Sequence, residues 1–107
     1  MMLPNPDDLG RAPLWENYVI AQLTQASLGL IPRSAVALGV VVDRYEVTVW
    51  CQLRELTAEA TEDLDDIVGA LGLLVGDEVR LRWRHEIRDE PVITPQDRIC
   101  WTFAARM

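Results

Sequence analysis

The 107-residue chain has no lysine, one histidine, one phenylalanine and two cysteines. A zinc site needs about four ligands at characteristic spacing. With His85 alone, and with Cys51 and Cys100 far apart and outside any CxxC pair, no such set exists in the sequence. No apolar run approaches the roughly 20 residues that cross a bilayer, and Met1 to Gly10 lacks the basic-then-apolar order of a signal peptide, so a cytoplasmic protein without membrane contact is expected. Positive charge is also scarce: ten cations, all arginine, stand against seventeen acids, for a net charge of −7. Nucleic-acid binding depends on cations that displace counterions from phosphates, so direct binding of DNA or RNA is not expected. The all-arginine choice reads mainly as coding bias. No P-loop, dinucleotide fingerprint or GxSxG elbow occurs.

What is present is ordinary globular composition, half apolar and a quarter charged, in a length that suits one domain. Residues 1–13, with three prolines and a glycine, read as a loose leader, and 14–107 as a single domain. From Leu14 an apolar set with Tyr18, Val19, Leu23 and Ala26 follows helical spacing and is stopped by Gly29 and Pro32. Ala35 to Val42 is apolar on both parities, as in a strand covered on both sides. After the break at Asp43-Arg44, residues 45–53 alternate, with Tyr45, Val47, Val49, Cys51 and Leu53 on one face. A hairpin is expected.

Thr57 stands where an N-cap belongs, and Glu59, Glu62, Asp63, Asp65 and Asp66 crowd the turns after it, where carboxylates complement the helix dipole. Leu64, Ile67, Val68 and Leu71 supply the buried stripe of this second helix. Residues 79–87 alternate again, with Arg80, Arg82 and Arg84 on the wet parity and Leu81, Trp83, His85 and Ile87 on the other. Asp89 to Gln96, with two prolines, reads as a loop. Residues 98–104 form a last strand with Ile99, Trp101 and Phe103 on one parity and Cys100 on the other. The order is α-β-β-α-β-β. Reading the connections as short gives an α+β two-layer sandwich: an antiparallel four-stranded sheet with two helices on one face.

Catalysis finds little support. Nucleophilic chemistry needs an activated Ser, Cys or Thr beside a base, and the one imidazole falls on the core or edge side of its strand. The acids of the second helix lie on a solvated face, without the burial that separates the pKa values of a catalytic pair and without calcium-loop spacing. No enzyme activity, cofactor or metal is expected. Two surface features remain. Glu59, Glu62, Asp63 and Asp66 share one helix side, from which Asp65 leans away, and they are as consistent with plain solvation as with a partner. The row Arg80, Arg82, Arg84 either answers Glu46, Glu55 or Glu86 across neighbouring strands or captures a ligand. Trp50, outward by alternation, is an interface candidate.

The phrase ASLGLIPRSAVALGVVVDRYEVTVWCQL, then LTAEATEDLDDIVGAL, then DEPVITPQDRICWTFAARM, resembles small bacterial immunity proteins of contact-dependent and other polymorphic toxin systems, over residues 20–106. Arg33-Ser34 departs from the Pro-Asn-like turn common after the first helix of that family. The resemblance implies a protein that neutralises a cognate protein toxin by binding it, a basic nuclease domain being one form of such a toxin. Glu59, Glu62, Asp63 and Asp66 are then the expected contacts, with Trp50 beside them and the arginine row as a secondary surface. The alternative is a self-associating structural or adaptor domain, a homodimer through Trp50 and the arginine row.

Overall fold

In a computed structural model, which describes residues 12–106, the elements are α1 (Ala12–Ala26), β1 (Ala35–Asp43), β2 (Glu46–Leu53), α2 (Ala58–Val75), β3 (Arg80–Ile87) and β4 (Cys100–Ala104). The leader expected over 1–13 lies outside the described residues up to Arg11, and the helix already begins at Ala12. Its buried stripe is Trp15, Val19, Leu23 and Ala26, spaced i, i+4, i+8, i+11. Leu14 is not part of it. One position before Trp15, it turns off the stripe and is half exposed.

The protein is α+β, with a four-stranded sheet in the order β3-β2-β1-β4. The sheet is mixed and not antiparallel as the sequence suggested. β1 pairs antiparallel with β2 and with β4, but β2 and β3 run parallel, from Glu46↔Arg80 to Leu53↔Ile87. The error lay in treating the β2–β3 connection as short. It is an 18-residue helix, and at 1.5 Å per residue it carries the chain back by about 27 Å, the length of β2. A strand that restarts at the beginning of its neighbour pairs parallel.

Leu38 and Val40 of β1, with Val47, Val49, Cys51 and Leu53 of β2, point to one face and join the buried stripes of both helices in a single core. α2 contributes Ala60, Leu64, Ile67 and Leu71. Polar clasps fix α1 over the sheet. Trp15 Nε1 donates to the Arg44 carbonyl at 2.8 Å, where Arg44 takes φ 56° in the tight β1–β2 turn. Tyr18 donates to the Leu74 carbonyl at 3.0 Å, which occupies an acceptor left open in the last turn of α2.

The ladder to β4 contains an irregularity that changes the expected facing. Leu38 pairs with Phe103 and Gly39 with Trp101, so β4 takes two steps where β1 takes one. Such a bulge resets the alternation. Phe103 and Cys100 therefore both pack against the core, while Trp101 lies beside Gly39 on the other face. The strand also begins later than expected, at Cys100. Glycine at 39 is required by this approach. A Cβ there would sit 2.7 Å from Ile99 Cγ2 and 2.8 Å from the Cys100 carbonyl oxygen.

β3 and β4 occupy opposite edges, so residues 88–99 must cross the sheet face that the helices leave open. This strap is tied down by Gln52, a buried residue on that face. Gln52 Nε2 donates to the Val92 carbonyl at 2.7 Å, and the Val92 N–H donates to Gln52 Oε1 at 2.8 Å.

Candidate functional site

α2 is built to hold its shape at the end that carries the acids. The Thr57 hydroxyl accepts from the Ala60 N–H at 2.9 Å, the N-cap expected from sequence. Four buried side chains fasten the opposite side to the core. Glu59, Glu62, Asp63 and Asp66 follow i, i+3, i+4, i+7 and so lie along one side. Glu59, Glu62 and Asp66 are exposed and Asp63 is half-buried.

Among the described residues, little neutralises this side. Arg33 Nε approaches Glu59 Oε1 at 3.7 Å, with the two side chains 93% and 67% exposed. Ion pairs that exposed contribute about 0–1 kcal/mol and exchange readily with a competing cation. Asp65 does lean away from the set, and it has a structural partner: Trp83 Nε1 donates to its Oδ1 at 2.8 Å, tying α2 to edge strand β3. Continuing the same helix side past Asp66 by i+3, i+4 and i+7 reaches Gly69, Ala70 and Leu73. Leu73 is 90% exposed. The acidic side thus ends in a low shelf and a single apolar side chain. Leu73 lies off the buried period of Leu64, Ile67 and Leu71, which gives no sign of it, although the i+7 step from Asp66 places it on the acidic side.

The arginine row and Trp50 lie on the sheet face opposite the helices, and the structure does not bring them to the acidic set. Arg80 Nη2 pairs with Glu46 Oε1 at 3.1 Å, and Arg82 Nε donates to the Thr48 hydroxyl at 3.0 Å. Both contacts reach the neighbouring strand, but only Arg80 meets one of the expected acids; Arg82 bonds a neutral hydroxyl, and Glu86 pairs with Arg88 instead. Arg84 is exposed and level with Trp50 in the β2–β3 register, and Trp50 itself is half-buried. Charge is therefore polarised across the thickness of the molecule, acidic over α2 and basic along β3.

No activated nucleophile emerges among the described residues. Burial pushes the Cys51 thiol up to about 12. Cys100 is raised too, first by desolvation and then by the Glu16 carboxylate, whose Oε1 lies 3.8 Å from Sγ. His85 is exposed at the sheet edge, its ring 6.0 Å from that of Trp83. No group of three or more potential metal ligands forms among the described residues, and no described helix is long and apolar enough to cross a membrane.

Fold and surface together define an α+β domain with a mixed sheet and one acid-faced helix. Comparison with protein-family models, with curated proteins and with solved structures finds no match for this chain.

Proposed function

We propose that this protein is a cytoplasmic immunity protein or inhibitor, which neutralises a cognate bacterial toxin by binding it directly through the outward side of α2. One observation carries the reading. Glu59, Glu62, Asp63 and Asp66 stand along one side of a capped, core-fastened helix, with one long, exposed ion pair among the described residues to offset them. Fixed carboxylates in a chain of net charge −7 attract a basic cleft over distance and can replace the phosphates that a nuclease domain would otherwise hold. Exposed Leu73 beyond the acids gives such a partner apolar surface to bury. The family resemblance of residues 20–106 points the same way. Binding requires no cofactor and no nucleic acid.

The test is co-expression with the product of the reading frame immediately upstream, together with a pull-down of that product. Relief of its toxicity and recovery of a complex support the reading. Failure of both removes it. The half-buried Trp50 beside Arg84 favours a second reading, a self-associating adaptor that pairs through the outer sheet face. A monomer by sedimentation at tens of micromolar would eliminate that alternative.

A further inference from the structure

A cleft of about 830 Å³ opens where the end of β1 meets α1 and the strap, within the roughly 300–1,000 Å³ of small-molecule sites. Its walls combine the apolar side chains of Val41, Ile99 and Trp101 with the carboxylates of Glu16, Asp43 and Asp97, against one cation among the described lining residues, Arg98. None of the acids of α2 borders it, so this cleft is separate from the acidic side of that helix.

The strap side of the cleft is held in one shape. Asp97 accepts from the Ile99 N–H at 3.0 Å, the Thr94 N–H at 3.2 Å and Trp101 Nε1 at 3.2 Å. Arg98 is held at φ 59°, a left-handed conformation uncommon for a residue with a side chain. Gly39 lets Ile99 and Trp101 lie directly on the sheet. The wall is thus set before any ligand arrives, which lowers the ordering cost of binding.

We infer that this cleft binds an organic cation, an alkylammonium or alkylguanidinium group whose carbon chain lies on Trp101 and Val41 while its charge meets Glu16 and Asp43. An indole face attracts cations, and three carboxylates against one guanidinium leave the walls net negative. Hydrogen bonding from the Ile99 N–H, aided by the Thr94 N–H and the Trp101 indole, holds the Asp97 carboxyl below its usual range, so that charge persists in mild acid. The same chemistry can come from a free amine or guanidine, or from a basic side chain of a protein partner.

The full chain, labelled with ¹⁵N, is titrated separately with agmatine and with a doubly capped arginine, and n-pentanol and pentanoate serve as neutral and anionic controls. The expected result is a saturable shift of the Trp101 indole N–H and of the Ile99 and Thr94 amides with the cations alone. Glu16→Gln and Asp43→Asn should each weaken binding about two- to fivefold, the effect of an exposed ion pair. Neither side chain holds the strap, so both variants keep the fold, and an unchanged spectrum outside the cleft verifies this. Agmatine without capped arginine identifies a free small molecule as the source. Capped arginine without agmatine identifies a side chain. Equal shifts with n-pentanol, no saturable shift with either cation, or an affinity unaffected when both substitutions are combined would overturn the proposal.

Discussion

The two faces of the sheet are closed by different means. On the inner face Val47, Val49, Cys51 and Leu53 of β2 are fully buried under α1 and α2 by apolar packing. On the outer face of the same strand Thr48 and Gln52 are also buried, but by polar contacts: Arg82 on the Thr48 hydroxyl, and the strap on the Gln52 amide. Apolar packing sums over area and has no preferred direction, whereas a buried amide is tolerated only where each of its groups finds a partner. The inner face therefore holds the fold, and the outer face positions what crosses it.

Substitutions can break that contrast in order of size. Leu64→Ala removes a fully buried side chain of the inner core and should cost about 2–5 kcal/mol, read as a lower urea midpoint with cooperativity retained. Gly39→Ala, on the outer face, forces a Cβ against the Ile99 side chain and the Cys100 carbonyl and should cost about 1–3 kcal/mol. Loss of amide protection along β4 ahead of global unfolding would show that the damage stays at that edge. Gln52→Ala leaves the Val92 N–H and carbonyl without their partner, at about 1–3 kcal/mol. Hydrogen exchange at Val92 should rise far more than at Val49. Equal acceleration at both would mean that the strap and the core are one cooperative unit.

A smaller effect is expected from acid. The Asp97 carboxyl titrates below its usual value when folded, so its contribution to stability is complete above the unfolded carboxylate pKa and is lost as pH falls through the folded one. The Trp101 indole resonance should move in that window while core methyl resonances stay in place. Smallest per residue, replacing Glu59, Glu62, Asp63 or Asp66 by its amide should alter stability by about 0.5 kcal/mol or less at each site, because Glu59, Glu62 and Asp66 are exposed and Asp63 is half-buried.

The same contrast explains how much could be read in advance. Inner-face residues of α2 and β2 followed strict periods, so the second helix, its Thr57 cap, the alternation of β2 and the common side of the four acids were legible from spacing alone. In edge strand β3 the period holds for Leu81 and Trp83, but His85 and Ile87, expected on the core parity, are exposed. The direction of β3 was not, because period two is the same in parallel and antiparallel strands and only the length of α2 fixes the return. Phe103 does not share a face with Ile99 and Trp101 as alternation implied but joins Cys100 on the core side, because the bulge between Trp101 and Phe103 leaves no mark on the sequence. The strap is tied down mid-way by Gln52 bonding the N–H and carbonyl of Val92, 40 residues away, contacts to which hydrophobic periodicity is blind. Asp97, two residues before Ile99, carried a usable signal, since aspartate commonly accepts from the backbone two residues on.

The reading of α2 as a toxin-binding surface is tested most directly by comparing wild type with the Glu59→Gln, Glu62→Gln, Asp63→Asn, Asp66→Asn variant in growth-rescue against the upstream gene product. Wild type should relieve the arrest, and the variant, shown to be folded by a cooperative urea transition, should fail to do so and bind with a weaker dependence on salt. A variant that protects as fully as wild type would contradict a role for these carboxylates in toxin binding.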